Sequence, residues 1–130
     1  MKIGYIGVAV GPGSGPRPLV QLEQNLDWMR SQGFRLVEVG VTGLRLIVNG
    51  ALQAREVENF VAVLRNFDLR YSIHGPNRLN LAYDARHLLC KEIMRGLIEI
   101  CRRAGSERLV YHSGLQALDA VRSGVRRSLL

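Results

Sequence analysis

A pattern of strand-like and helix-like segments repeats along this chain of 130 residues. Strand-like openings occur at Ile3, Leu36, Leu69 and Leu109, with a period of about 33 residues over the first three. Each opening is followed by turn residues and then by apolar residues at helical spacing. Consecutive βα units of this kind predict parallel strands joined by right-handed crossovers, and therefore an α/β fold.

Stripes of apolar residues locate the helices within these units. The first helix begins near Pro18 and stops at Gly33, and the third runs from an N-cap at Asp84 to Gly105. The stripes are formed by Leu19, Leu22, Leu26 and Met29 in the first helix, Val57, Phe60, Val61 and Leu64 in the second, Leu89, Ile93, Leu97, Ile98 and Cys101 in the third, and Leu118, Val121, Val125 and Leu129 in a fourth.

Four βα units predict one domain over residues 1–130 that is half of a (β/α)8 barrel, since eight units close a barrel of about 250 residues. Half a barrel has two open sheet edges and one apolar sheet face without a cover. Three arrangements would resolve this. The chain is truncated from a longer barrel, which its end at 128–130 on an apolar stripe favours, or two copies assemble, or the sheet is covered in another way.

Two further features bound the class of protein. The sequence contains no run of about 18 apolar residues, the length needed to cross a membrane, and its N-terminus lacks the regions of a signal peptide. We therefore expect a cytoplasmic protein with no membrane partner. Cys90 and Cys101 lie on one predicted helix, roughly 16 Å apart along its axis. That separation excludes a disulfide between them and predicts two buried thiols.

The net charge of +7 comes mainly from arginine and is compatible with phosphate contacts. The simpler interpretation is a solvated surface, because cations near helix C-termini complement the helix dipole. No aromatic residues alternate with these arginines to make a stacking platform for single strands. The arginines concerned, expected at the C-terminal ends of predicted helices or on their polar faces, are Arg102, Arg103, Arg108, Arg122, Arg126 and Arg127.

Two histidines end corresponding strand-like runs. His74 closes the run 69–74 and His112 closes the run 108–112, and each is followed by small turn residues. A helix-length segment separates the runs, so the strands are predicted to be parallel neighbours, with the imidazoles roughly 5 Å apart. This is the arrangement of an active site. His87, early in the third helix, is expected to be a surface residue.

Two imidazoles do not complete a catalytic metal site, which needs at least three protein ligands. Glu38, at the end of the second strand, is the candidate for a third ligand or a substrate contact. The alternative is a carboxylate that faces solvent or pairs with an arginine.

Loop residues supply the remaining candidates. The segment 11–18 is rich in glycine, but it lacks the Gly-Lys-Ser/Thr ending of a phosphate loop and contains three prolines. We expect it to be a mobile loop over the barrel mouth, with Arg17 contacting a phosphate or acid group. After the third strand, Asn77 is placed for a substrate contact. Asn80 is expected to satisfy loop backbone groups and is also a candidate for contact with the substrate.

Residues 71–82, Tyr-Ser-Ile-His-Gly-Pro-Asn-Arg-Leu-Asn-Leu-Ala, resemble the third-strand motif of the xylose isomerase-like TIM barrels. This superfamily contains sugar isomerases and epimerases together with endonuclease IV, of AP endonuclease family 2. Its pattern is His, a small residue, Pro, commonly Tyr, two further residues, then Asn-Leu. Segments 35–40 and 110–114 are similar to the second and fourth strands of the family. The resemblance spans the whole chain but only the first half of the family's barrel.

The first function that the resemblance implies is a metal-dependent isomerase or epimerase acting on a sugar or sugar phosphate. A divalent ion (Zn, Mn, Mg or Co) would polarise the substrate, and His74 and His112 would line the pocket or polarise substrate oxygens. The proton-shuttling carboxylates of the family come from later strands. We therefore expect this chain alone to be inactive unless a second half supplies them.

The second implied function is a zinc-dependent nuclease acting on abasic DNA, as in the endonuclease IV branch, where the residues matching His74 and His112 bind zinc. The chain departs from that branch at two points: segment 4–8 lacks the Gly-Ala-His opening, and Asn77 replaces the usual Tyr. A third hypothesis is a noncatalytic half-barrel that pairs with itself or with another chain.

Overall fold

The computed structural model describes residues 7–11, 16–77, 79, 81 and 87–112. None of the helices in these ranges is long and apolar enough to span a membrane. The elements follow one another as β1 (Gly7–Val10), α1 (Pro18–Ser31), β2 (Leu36–Gly40), β3 (Ile47–Val48), β4 (Ala51–Leu52), α2 (Ala54–Arg65), β5 (Arg70–His74), α3 (His87–Ala104) and β6 (Leu109–Val110).

The main sheet is parallel and has the strand order β1-β2-β5-β6, so its strands lie side by side in the order in which they occur along the chain. A helix lies in the chain between each pair of neighbouring strands, as a βα crossover requires. The predicted α/β fold with a parallel sheet is therefore confirmed. The predicted fourth helix and the N-cap at Asp84 lie outside the described residues, and the number of βα units stays a prediction.

The first two helices bury the stripes predicted for them except at Leu19, which is partly buried and packs against the core. Helix α1 has Pro18 as its first residue and is followed by Gly33, whose φ of +85° belongs to the left-handed region that ends many helices. Its buried residues are Leu22, Leu26 and Met29, and those of α2 are Val57, Phe60, Val61 and Leu64. The 3.6-residue period was a sufficient guide here because each helix presents one narrow apolar face.

The stripe predicted for α3 is wrong at two positions. Leu89 is 42% exposed and Ile98 is 56% exposed, whereas their neighbours Cys90 and Leu97 are buried. One residue along a helix is a rotation of about 100°, which carries Leu89 and Ile98 to the edges of the buried face. Cys90 and Cys101 are free, buried thiols as predicted.

A short antiparallel hairpin, β3–β4, was not predicted. Its turn is Asn49-Gly50, with φ values of +50° and +83°, and both residues of a type I′ turn need positive φ. The hairpin lies against α3, where a Cβ at Gly96 would be only 2.8 Å from Cδ1 of Ile47. The close approach of hairpin and helix therefore depends on the missing side chain of Gly96.

Side chains of β2 and β5 alternate between two faces of the main sheet. Val37, Val39 and Ile73 are fully buried and belong to the same core as the helices. The opposite face, here called the inner face, carries Glu38, Ser72 and His74, of which Glu38 and Ser72 are register partners. The expectation of an apolar second face is wrong at these positions, since the side chains there are polar.

Candidate functional site

The pairing of β5 with β6 brings His74 and His112 together. The N–H of Ile73 donates to the carbonyl of Arg108 at 3.0 Å, and that of Gly75 donates to Val110 at 2.8 Å. The two Nε2 atoms lie 3.2 Å apart and the ring centroids 5.2 Å apart. The predicted spacing of the imidazoles is confirmed.

The strand that precedes His112 is shorter than predicted. Strand β6 ends at Val110, so His112 follows the strand by two residues instead of closing it. Side chains of an extended chain alternate with a period of two residues, so His112 lies on the same side of the sheet as Val110. Val110 is the register partner of His74, and His112 is therefore on the same side as His74.

Glu38 contacts His74 from the neighbouring strand. Its Oε1 lies 3.0 Å from Nδ1 of His74, and the two side chains are 28% and 26% exposed. Glu38 therefore faces the site, as one of its predicted roles requires, and the alternative of a solvent-facing or arginine-paired carboxylate is wrong. Both side chains are held by β2 and β5, whose register sets Gly40 opposite His74.

The three side chains form a chain of hydrogen bonds from carboxylate to imidazole to imidazole. The Nδ1–H of His74 donates to Glu38, so in the neutral ring the Nε2 of His74 carries a lone pair. With both rings neutral, the contact of 3.2 Å between the two Nε2 atoms requires the tautomer of His112 that carries its proton on Nε2 and donates it to His74. Glu38 thus fixes the tautomer of His74, and Nε2 of His74 is available to accept a proton or bind a metal ion.

The geometry fits two ligands of one metal ion. Two nitrogens that each lie about 2.0–2.1 Å from a tetrahedral zinc ion are about 3.3 Å apart, close to the observed Nε2 separation. Metal-binding histidines commonly donate their other N–H to a carboxylate, as His74 does to Glu38. Within the described ranges, no group of three His, Cys, Asp or Glu side chains could hold a metal ion, so the two histidines alone do not make a complete metal site.

The other predicted site residues do not join this cluster. Asn77 is exposed in the turn after β5, and Arg17 is exposed just before α1. Neither side chain is hydrogen bonded to Glu38, His74 or His112 in the described structure. Asn80 and residues 12–15 of the glycine-rich loop lie outside the described residues, and His87 is the first residue of α3.

Sequence reasoning missed two features that lie next to the site. Ser72 is buried on the inner face, and its place two residues before His74 in the same strand is the signal that could have found it. The N–H of Val41 donates to the carbonyl of His74 at 3.1 Å and so ties the loop after β2 to the site. A backbone contact of this kind leaves no mark in the residue types.

Comparisons with known proteins give likenesses in structure alone. No protein-family model matches the chain, and no curated protein matches it. An endonuclease IV from Thermus thermophilus matches with a TM-score of 0.58 and 20% identity, over 96% of this chain and 46% of that one. The crystal structure of AsfvAP:AG matches with a TM-score of 0.65 and 18% identity, over 95% of this chain and 44% of that one.

These likenesses concern the fold. The chain is similar in fold to part of an endonuclease IV. It spans less than half the length of either structure that it matches. The match is consistent with the resemblance to the xylose isomerase-like TIM barrels, a superfamily that holds both isomerases and nucleases, and a shared fold does not separate the two activities.

Proposed function

We propose that His74 and His112 form part of a divalent-metal site that cleaves phosphodiester bonds in nucleic acid, with Glu38 positioning His74. The observation that carries the proposal is the Nε2 separation of 3.2 Å between two imidazoles, one of which is held by a carboxylate at 3.0 Å. Two facing ring nitrogens with an oriented tautomer are a suitable pair of donors for zinc.

Each residue has a defined part in the proposed site. His74 and His112 would hold the ion through Nε2, after the Nε2 proton of His112 moves to its own Nδ1 so that the ring stays neutral. Glu38 keeps the proton of His74 on Nδ1, so that Nε2 remains a donor of electrons. A zinc ion bound there would supply charge stabilisation and an activated water. The further ligands would come from outside the described residues or from another polypeptide.

Nucleic acid is favoured as the substrate class on two grounds. One structure with a similar fold is an endonuclease, and the chain carries a net charge of +7. Positive charge attracts the phosphate backbone through counterion release, independently of sequence. Residues 4–8 and Asn77, where the sequence differs from the endonuclease IV pattern, are not part of the Glu38–His74–His112 cluster.

A metal-dependent sugar isomerase or epimerase is the second candidate, and the position of Glu38 favours it. A carboxylate beside two imidazoles on the inner face can take part in proton transfer between carbons, while the imidazoles hydrogen-bond substrate hydroxyls. In this case His74 and His112 contact the sugar, and the metal would be held mainly by carboxylates.

Zinc binding tests the part of the proposal that the two candidates do not share. We expect the chain to bind zinc in competition with a chromogenic chelator, and His74→Ala and His112→Ala each to weaken binding by about 100-fold or more. His87→Ala removes the third histidine of the chain and is the matched control, expected to bind as the wild type does. Unchanged zinc affinity in a folded double variant of His74 and His112 would refute the metal site.

Activity assays separate the two chemistries. With zinc present, strand cleavage of an oligonucleotide containing an abasic site, lost in His74→Ala but kept in His87→Ala, supports the nuclease. If the chain interconverts aldose and ketose phosphates and does not cleave the strand, the isomerase is the correct function and the nuclease proposal is wrong. If neither reaction occurs in the zinc-loaded chain, the proposal of a catalytic function for this chain on its own is wrong.

A further inference from the structure

A cavity of about 440 Å³ lies at the opposite end of the main sheet from the two histidines. It is lined by the starts of β2 and β5, by the ends of α2 and α3, and by the segments that lead into β5 and β6. Arg70 and His74 are the two ends of β5, and four residues of strand span about 13 Å. The cavity is therefore separate from the Glu38–His74–His112 cluster and shares no residue with it.

The floor of this cavity is apolar. Leu64, Phe67, Leu69 and Ala104 contribute hydrocarbon, and Tyr71 contributes its ring. The hydroxyl of Tyr71 is buried and donates to the carbonyl of Leu64 at 2.8 Å. Burial also raises the pKa of Tyr71 above its usual range, so the phenol stays neutral. The floor thus offers apolar surface without a charge.

The rim of the cavity is cationic. Arg65, Arg70 and Arg108 lie there with a single carboxylate, Glu107. The contact between Arg70 and Glu107 is long, at 3.9 Å, and joins two exposed side chains, so it is a weak ion pair. Arg65 donates to the carbonyl of Arg103 at 3.5 Å. In the described part of the chain, no carboxylate pairs with Arg65 or Arg108.

Helix dipoles explain only one of these cations. Arg65 is the last residue of α2, where a positive charge complements the helix C-terminus. Arg70 begins β5 and Arg108 directly precedes β6, so neither lies at a helix end. Like charges around one cavity repel each other, and a guest anion relieves that repulsion. Guanidinium groups are also well suited to carboxylate, sulfonate and phosphate oxygens.

We infer that this cavity binds a small organic anion that has an apolar body. The anionic group would lie at the rim beside Arg65 and Arg108, and the hydrocarbon or aromatic body would rest on the floor formed by Phe67, Leu69 and Ala104. The volume is in the range of small-molecule sites in proteins. The inference is independent of the proposed nuclease, because the two sets of residues do not overlap.

Binding of 8-anilinonaphthalene-1-sulfonate, an aromatic sulfonate that fluoresces in apolar sites, tests this inference on the full chain. We expect saturable binding that is weakened about tenfold or more in the double variant Arg65→Gln/Arg108→Gln. The matched control is Arg45→Gln/Arg55→Gln, which removes the same charge from two exposed arginines that do not line the cavity. Thermal unfolding of each variant verifies that it is folded.

A filling variant tests the floor separately. Ala104→Leu leaves all three guanidinium groups in place and is expected to weaken dye binding by occupying the cavity. Three results would each overturn the inference. The first is equal weakening of dye binding in the control pair, and the second is unchanged dye binding in the Arg65/Arg108 variant while both double variants still bind the neutral analogue N-phenyl-1-naphthylamine. The third is displacement of the dye by millimolar sulfate alone. The last result would assign the rim to bare inorganic anions.

Discussion

The two faces of β2 and β5 differ although their residues alternate along the same strands. On the helix side, Val37, Val39 and Ile73 are fully buried. On the inner face, Glu38 and His74 keep about a quarter of their side-chain surface exposed and contact each other. Apolar burial on one face holds the backbone in place, and the polar side chains of the other face are positioned by that backbone. Stability and chemistry are thus divided between neighbouring residues.

The largest expected effect is a loss of stability when a buried side chain on the helix-facing side of the sheet is truncated. Ile73→Ala removes a fully buried side chain, so we expect a loss of about 3 kcal/mol in the free energy of unfolding, measured by urea denaturation. Zinc affinity of the folded variant should stay near that of the wild type, in contrast to His74→Ala at the next residue. If the two variants lose zinc affinity equally, the division between the faces is wrong.

An intermediate effect is expected from the inner face. Glu38→Gln removes the negative charge that accepts the Nδ1–H of His74, and loss of such a partner lowers zinc affinity about 10- to 100-fold. The free energy of unfolding should change by less than about 1 kcal/mol, since the contact is partly exposed. Glu58→Gln, at an exposed position of α2, is the control. Equal zinc affinities in the two variants would remove Glu38 from the site.

The smallest effect concerns a carboxylate on the outside of the helices. Hydrogen bonds from Arg102 and Arg103, at 2.7 to 2.8 Å, lower the pKa of Glu99 from 4.5 to about 2. A depressed pKa stabilises the folded state above pH 4.5, and this stabilisation is lost as the pH falls towards 2.

We therefore expect Glu99→Gln to lower the melting temperature by the order of 1 °C at pH 7. The difference from wild type should shrink as the pH falls below 4.5, while zinc affinity at neutral pH is unchanged. If the difference in melting temperature does not depend on pH, Glu99 acts through packing instead of charge. If Glu99→Gln also lowers zinc affinity, the effect of Glu38→Gln on zinc is not specific to the site.

The sequence was a good guide where one local rule decides the structure. The stripe that includes Phe60 and Leu64 marked the buried face of α2, because a helix has a fixed period. The rule failed for Leu89 and Ile98, since the width of a buried face depends on which elements cover the helix. The hairpin at Asn49-Gly50 had a recognisable turn signal that the βα repeat overshadowed.

The candidate site shows the same division. The neighbouring positions of His74 and His112 could be predicted because the spacing of parallel strands is nearly constant. The contact of Glu38 with His74 could not, since it depends on the register of β2 against β5 and on side-chain rotamers. The cationic cavity was equally hidden, because Arg65, Arg70 and Arg108 come together only through the fold.

The brevity of β6 has a consequence for how the imidazole pair can be observed. His112 follows a strand of two residues, and the Gly75 N–H donates to the carbonyl of Val110 at its end. Opening of this edge of the sheet would break that hydrogen bond, expose the Gly75 amide to solvent and separate the His112 ring from His74. Where closing is faster than exchange, the rate at which the Gly75 amide takes up deuterium therefore reports the fraction of molecules in which this edge is open and the two rings are apart.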